Sequence, residues 1–458
     1  MEDTRLELAT KALDPRHLRA VLEGEVFVPG DEGWDEARLA WNLAVDQQPA
    51  AVAVPASPAD VVEIVDFARE EGLRVAPQGT GHGASALGDL ADTILVKLNR
   101  LRGVSIDPAA RTARVEAGTI WIEVVEAAAE HGLAALAGSS PDVGVVGYTL
   151  GGGLSFLGRK YGLGANQVTA AEIVTADGEL RRVDRDNDPD LFWAIRGGGG
   201  DFGVVTALEF GLFPHTEVYA GVLWFPVERA TEVLRMWRDW TADVPEEMTS
   251  LGRIMQFPPL PFFPPEFSGK SFALVEVIWC GPAAAGEALI EPLRALGPVM
   301  DTVATIPMTA LSQLHMDPEH PVPGAGDGGT LSGLDDAAID ALVAGTVGAP
   351  ILSTEVRQLG GAIARAAAGH GAIAAFEAPF IQFSVGMAPT PEAKAAVQGA
   401  VGALRASLAP WAAPHSYLNF SEEQRDASAH FTETALHRLR RIKATYDPAS
   451  VIRSNHPV

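Results

Sequence analysis

The sequence predicts an α+β protein in which a glycine-punctuated first half is followed by a second unit of different composition. Three observations predict it. Up to Pro214, short apolar runs alternate with stretches of helical apolar spacing, and glycine clusters stand at the ends of those elements. After Pro214, tryptophan-bearing and alanine-rich helical stretches alternate with strand-like runs such as 221–225 and 272–280. Between 137 and 168, glycines at 138, 144, 147, 151, 152, 153, 158, 162 and 164 are interleaved with Val145, Val146, Leu150, Leu154 and Phe156. A solvated linker would not carry those apolar residues. Glycine at that density suits backbone that passes close to a large flat group or donates N–H groups to phosphate.

Taken in order, residues 15–45 read as helical around a turn at Pro29-Gly30, and 49–55 as a short buried strand. Ser57 as N-cap, Pro58 at the first helical position and Asp60 behind them start a helix. Val61, Ile64, Val65 and Ala68 continue it until Gly72. A strand over 73–78 runs straight into Gly79-Thr80-Gly81-His82-Gly83. Strands at 94–98, 103–107 and 112–118 follow, then a helix over 119–131. Residues 171–183 form an alternating strand pair about Asp177-Gly178. A helix over 189–195 ends in glycines 197–200, and the strand after it closes on Pro214.

The second unit opens with a strand at 221–225 and a helix over 227–240. The proline-rich loop 257–267 reads as cover for a packed edge, because Phe257, Leu260, Phe262 and Phe263 would otherwise be exposed. A strand at 272–280 and an alanine-rich helix come next. Loop 315–329 groups His315, Asp317, Glu319 and His320, but Pro318, Pro321 and Pro323 forbid the helical spacing that would converge them on a metal. It reads as a substrate-access loop, and no metal is expected. A helix (334–345), the segment 353–366, a strand (374–386) and a helix (391–408) complete the unit. The end reads as a strand at 416–420 and a basic helix closing on Pro448.

Composition excludes several classes. Formal net charge is −25 over 458 residues with no dense Lys/Arg cluster, which argues against nucleic acid and anionic membranes. Hydrophobic content of 47% and charged content of 20% are those of a globular protein. The lone Cys280 excludes an intramolecular disulfide. The first residues lack the apolar core of a signal peptide, and no apolar run approaches the ~20 residues of a spanning helix, so a cytoplasmic location is expected. Neither glycine cluster, 79–85 or 151–158, has both the preceding strand and the acidic residue at the end of the next one that a dinucleotide fingerprint requires. No Walker lysine and no GxSxG elbow is present.

The combination is more specific than its parts. PQGTGHG, GSSPDVGVVGYTLGGG, RKYGLG, IVTADG, LFWAIRGGGGDFGVVT, SYLNF and YDPASVIRSNHPV follow one another in order. From Trp41 onward the chain resembles the FAD-linked oxidases of the berberine-bridge-enzyme-like group, in the vanillyl-alcohol-oxidase superfamily with a PCMH-type FAD-binding domain. The resemblance implies a two-part FAD domain, residues 1–213 plus 411–458, with an α+β substrate domain of antiparallel sheet covered by helices inserted at 214–410.

It also implies roles for residues. His82 would bond covalently to the flavin 8α-methyl, raising its potential, while Gln78, Gly79, Thr80, Gly81 and Gly83 cradle the pyrophosphate. A second, cysteine linkage is ruled out because Ser140 stands at that position. Pro141, Val143, Gly144, Gly147, Gly151, Gly152 and Gly153 would line the flavin, with Gly203, Val204 and Val205 contributing from the third cluster. Val143 matches a site near flavin C4a where a small residue goes with oxidases. Tyr417 is expected to take the substrate hydroxyl proton while hydride moves to N5, with Asn419 positioning the ring. A phenol near pKa ~10 needs neighbours that depress it. Glu355, Arg357, Gln358, Glu377 and Gln382 are expected in the sheet above the flavin, Glu377 being the fallback base.

The implied activity is removal of two hydrogens from a C–H beside an alcohol or amine, with O2 reduced to hydrogen peroxide. A dehydrogenase with another acceptor, an NADPH-reduced flavin reductase and a flavin binder without turnover are the alternatives. The family oxidises sugars, alkaloids and intermediates of bacterial secondary metabolism. The acidic total points to a neutral or cationic small-molecule substrate, and the assembly to a monomer or homodimer.

Overall fold

The computed structural model describes residues 15–261 and 263–458. The expectations for the first residues of the chain and for Phe262 lie outside them. Three sheets organise the chain. The first has strands in the order Glu25–Phe27, Ala51–Val54, Thr93–Lys97, Arg74–Gln78, parallel except at the outer Glu25–Phe27. Helix Pro58–Glu71 makes the crossover these parallel strands need. The Ser57 hydroxyl accepts from the Asp60 N–H, and Gly72 ends the helix at φ +69°, as its capping residues predict. Asp60 is buried and accepts from the N–H groups of Glu23, Gly24 and Ala56, which fixes the chain entering this sheet.

The second sheet is antiparallel, ordered Val104–Asp107, Thr112–Glu116, Val204–Gly211, Val168–Val174, Leu180–Asp184. The third is a large antiparallel sheet whose central strands are Ser271–Trp279, Met248–Gln256, Ser353–Gln358 and Phe380–Met387. Its alternation divides the residues between two faces. Val275, Val277, Ile254 and Val356 pack with Trp237, Ile339 and Leu404 of the helices Ala230–Thr241, Asp336–Thr346 and Pro391–Leu408. Leu251 and Ile278 turn the other way, onto Phe156 and Leu157 of the glycine-rich stretch.

The last helix, Glu433–Tyr446, returns the chain to the first half. Beyond it, Ile452 bridges Val75, and the Asn455 amide donates to the Gly83 carbonyl at 2.6 Å. The C-terminal residues thus complete structure begun at residues 74–83.

Four expectations are corrected. Residues 15–45 are not a helical pair: helices Arg16–Val21 and Trp34–Ala37 flank the strand Glu25–Phe27, because Val26 must fill the core beside Ala51 and Ala53. Residues 416–420 form no strand; Leu418–Phe420 is a 3₁₀ turn that swings Tyr417 and Phe420 to one site. The strand expected over 374–386 begins only at Phe380, since Pro379 precedes it. Of the proline-rich loop, Phe257 and Phe263 do pack at the edge near Trp224, whereas Leu260 stays 36% exposed.

The C-terminal return is held by Asp447. Its carboxylate is fully buried and accepts from Lys443 Nζ at 2.7 Å and from the Val451 and Ile452 N–H groups at 2.8 and 2.9 Å. Asp447→Ala leaves a buried ammonium and two N–H groups without that partner. Urea unfolding followed by circular dichroism should register a loss of about 3–5 kcal/mol.

Candidate active site

Strand Arg74–Gln78 delivers the chain into the turn at residues 79–83. Gly81 sits at φ +93°, where a side chain would meet Gln78 and Ala40 at 3.0 Å or less. No backbone N–H of residues 79–83 donates to a protein acceptor among the described residues, so the turn presents free donors. Inside it, Gln78 is 5% exposed, and neither end of its amide has a hydrogen-bond partner. Orphaned buried amides are rare in finished structures and mark a place where a ligand supplies the partner.

His82 lies against this turn. Its Nδ1 pairs with Thr80 Oγ1 at 2.7 Å, and its ring stacks on Trp41 with centroids 4.0 Å apart. Nε2 is buried without a hydrogen bond, 3.4 Å from Asp142 Oδ1. Asp142 also accepts from the Trp41 indole N–H and from Ser140 Oγ at 3.1 Å. Burial raises the Asp142 pKa, but the neighbouring His82 ring, the Trp41 indole and the Ser140 hydroxyl outweigh it and hold the carboxyl below its usual value. Asp142 and Trp41 escaped the sequence reading. The signal was present in Asp142, an acidic residue inside a glycine-rich apolar run.

The glycine-rich centre brings its loop beside this turn: a Cβ on Gly144 would stand 3.7 Å from the Thr80 nitrogen. Gly147 opens on empty space, whereas Val143 packs partly into the core. Pro141 is buried, its carbonyl taken by the Ile122 N–H. Gly151, Gly152 and Gly153 allow the closest approach. A Cβ on Gly151 would stand 1.8 Å from Asn419 Oδ1, and Gly152 at φ +123° would meet Tyr417 at 3.1 Å. Gly203 to Val205 lie elsewhere. Gly203 packs on Val174, and Val204 and Val205 point into two separate cores, so only their backbone could meet a ligand.

Tyr417 is 1% exposed, and its hydroxyl oxygen accepts from the Leu154 N–H at 3.0 Å and from Asn419 Nδ2 at 2.8 Å. Asn419 also donates to the Tyr148 carbonyl at 2.9 Å. Burial pushes the Tyr417 phenol up to about 12, although the Leu154 and Asn419 hydrogen bonds and the Arg357 charge pull it down. Two donors aimed at one phenol oxygen favour its anion.

The substrate-sheet residues separate. Glu355 and Arg357 lie on the face turned to the glycine-rich stretch. Gln358 is on the opposite face, donating to the Thr241 carbonyl at 2.9 Å and accepting from Ser250 Oγ at 3.0 Å. Gln382 pairs across from Val356 on that same helix-covered face, and Glu377 is exposed in the loop before Phe380. These three are therefore not brought together with Tyr417.

Behind Glu355 runs a chain of buried charges that sequence reasoning missed. His315 Nε2 stands 3.0 Å from Glu355 Oε2, and Nδ1 2.8 Å from Glu276 Oε2. Arg253 Nη1 reaches Glu276 at 3.2 Å. Burial and the Arg253 charge depress the His315 pKa, yet the charges of Glu276, Asp317 and Glu355 outweigh both and raise it to about 9. Among the described residues no group of acidic, Cys or His side chains is placed to hold a metal ion.

Comparisons place this geometry among known proteins. Residues 49–184 match the FAD binding domain family. The chain is 36% identical over 207 residues to (R)-6-hydroxynicotine oxidase of Paenarthrobacter nicotinovorans and 34% over 202 to glucooligosaccharide oxidase of Sarocladium strictum. These matches span 45% and 40% of the two relatives, and 45% and 43% of this chain. The solved structure of berberine-bridge-enzyme-like 1 of Physcomitrella patens superimposes with a TM-score of 0.86 over 97% of this chain and 99% of its own, at 22% identity, a likeness of fold.

His315 yields a pH prediction. Its pKa is raised on folding, so its contribution is complete below about pH 6.5, the unperturbed value, and is lost as pH rises through about 9. Denaturation midpoints of the wild type should fall between pH 7 and 10 by the equivalent of roughly 1–3 kcal/mol, and His315→Gln should flatten that slope.

Proposed function

The chain carries an FAD-binding domain within a berberine-bridge-enzyme-like fold, and from that premise we propose that it is an oxidase that dehydrogenates an alcohol or amine carbon of a small molecule. One observation carries the reading: a buried tyrosine whose oxygen accepts two hydrogen bonds stands against Gly152, in the glycine-rich stretch whose Gly144 meets the turn of His82. When bound, FAD supplies a hydride acceptor at N5 and passes the electron pair to O2, giving hydrogen peroxide.

The residues fit that group. The free N–H groups of residues 79–83 and the unpartnered amide of Gln78 suit a pyrophosphate and its neighbours. His82 holds the flavin through its ring, with Asp142 and Trp41 setting the orientation of the imidazole. Gly147, with nothing within 4 Å of where a side chain would stand, gives a flat ring system room, while Gly151 and Gly152 give theirs to Asn419 and Tyr417. Val143, packed partly into the core, would be the residue that governs oxygen access at the flavin.

Tyr417 accepts the substrate hydroxyl proton, and the Leu154 N–H and the Asn419 amide stabilise the phenolate form that does so. Glu355 cannot compete, since its pKa is lowered: burial raises it, but the Arg357 and His315 charges overcome that. Glu377, exposed in its loop, no longer serves as the fallback. Relatives named for nicotine and oligosaccharide oxidation support the alcohol or amine class.

Two measurements test the reading. A phenol lifted to about 12 is mostly protonated at neutral pH. The anaerobic rate of flavin bleaching by an oxidisable polyol, glycoside, aryl alcohol or cyclic amine should therefore rise steeply between pH 6.5 and 8.5. Tyr417→Phe should lose roughly 10²–10⁴-fold in that rate and the pH slope with it, while keeping its flavin. In stopped flow, dithionite-reduced protein should reoxidise in air faster than free flavin; a slower reaction makes it a dehydrogenase with another acceptor.

A further inference from the structure

Strand Ser353–Gln358 is buried along its whole length, so each charged side chain on it must be matched. Glu355 is fully occupied: Oε1 takes Arg357 Nε at 2.9 Å, and Oε2 takes Arg357 Nη2 at 3.2 Å and His315 Nε2 at 3.0 Å. Arg357 is not. Its Nε and Nη2 serve Glu355, and Nη2 also reaches Ser139 Oγ at 3.3 Å. Its Nη1 has no protein partner among the described residues, although the side chain is only 10% exposed. The guanidinium carbon lies 5.8 Å from the Phe156 ring and 5.2 Å from that of Phe420, so the rings hold it in place.

Arg357 stands beside the reacting end of the site. Phe420 stands 5.2 Å from the Tyr417 ring, and Leu154, Phe156, Leu251 and Arg357 line one small cavity. Leu154 is the residue whose N–H binds the Tyr417 oxygen. A fixed, desolvated guanidinium edge is a strong donor to a negatively charged or carbonyl oxygen and repels a cation.

Resting on the oxidase reading above, we propose that Arg357 determines specificity. It takes a carboxylate or carbonyl oxygen of the substrate while the carbon to be oxidised lies at Tyr417, and it disfavours substrates that present an ammonium group. The overall charge of −25 does not decide this. Its field is screened beyond a Debye length of roughly 8 Å, and affinity follows the contact.

Isothermal titration calorimetry of the purified protein with benzoate, benzamide and benzylamine tests the proposal, with flavin absorbance recorded on the same sample. The expected order of affinity is benzoate, benzamide, benzylamine. Arg357→Gln should weaken benzoate by about 10–100-fold and erase the order. Arg357→Lys should retain part of it. Glu355→Gln, which keeps Arg357 and removes its competing carboxylate, should tighten benzoate binding, so the test does not depend on one variant folding. Benzylamine binding as tightly as benzoate, no binding of any probe, or unchanged benzoate affinity in a folded Arg357→Gln protein would overturn it. A colourless sample that still ranks benzoate first refutes the flavin reading alone; a yellow sample indifferent to the three refutes the specificity alone.

Discussion

The closest glycine contact among the described residues is the meeting of Gly151 and Gly152 with Asn419 and Tyr417. Any side chain on Gly151 would occupy the place of the Asn419 amide, and Gly152 adopts a backbone conformation that L side chains rarely take. That contact joins residues some 270 positions apart in the chain and sets the Leu154 N–H on the Tyr417 oxygen. Around it the remaining structure makes sense. The large sheet has to lie above the glycine-rich stretch, and the last residues must return past Val75 and Gly83 to close the region from beneath.

Electrostatics above the contact follow from burial. Arg253, Glu276, His315, Glu355 and Arg357 alternate in sign, so each charge removed from water has an opposite neighbour. Such a chain adds little net stability compared with apolar packing, but it fixes the orientation of every member. It also keeps Glu355 from acting as a free base. That leaves Tyr417 as the group whose protonation can respond to what binds beside it.

Much of the fold was legible because local chemistry agreed with the tertiary outcome. Ser57-Pro58 and Thr390-Pro391 are strong helix starts, and helices begin there. Motif order singled out the turn of His82, the glycine-rich centre and the pair Tyr417 and Asn419 as candidates. The backbone at Tyr417 was misread because a short apolar run carries no period that separates a strand from a 3₁₀ turn. The facing of Glu355 and Arg357 rather than Gln358 was illegible for a related reason. A strand buried on both sides shows no hydrophobic alternation. His315 stood out in the sequence for its acidic neighbours in the loop, of which Asp317 lies 3.9 Å away, yet its closer partners, Glu276 and Glu355, are about 40 residues away on separate strands. Only the register of the sheet brings them together.

The place of the flavin is the claim on which the functional reading turns, and mass spectrometry addresses it without any substrate. Trypsin cuts after Arg74 and Lys97, releasing residues 75–97 with His82 as their sole histidine. A flavin held by the His82 ring predicts that this peptide carries the added mass of FAD and that His82→Ala removes it. Yellow protein yielding an unmodified 75–97 peptide, or flavin attached to any other peptide, would contradict it.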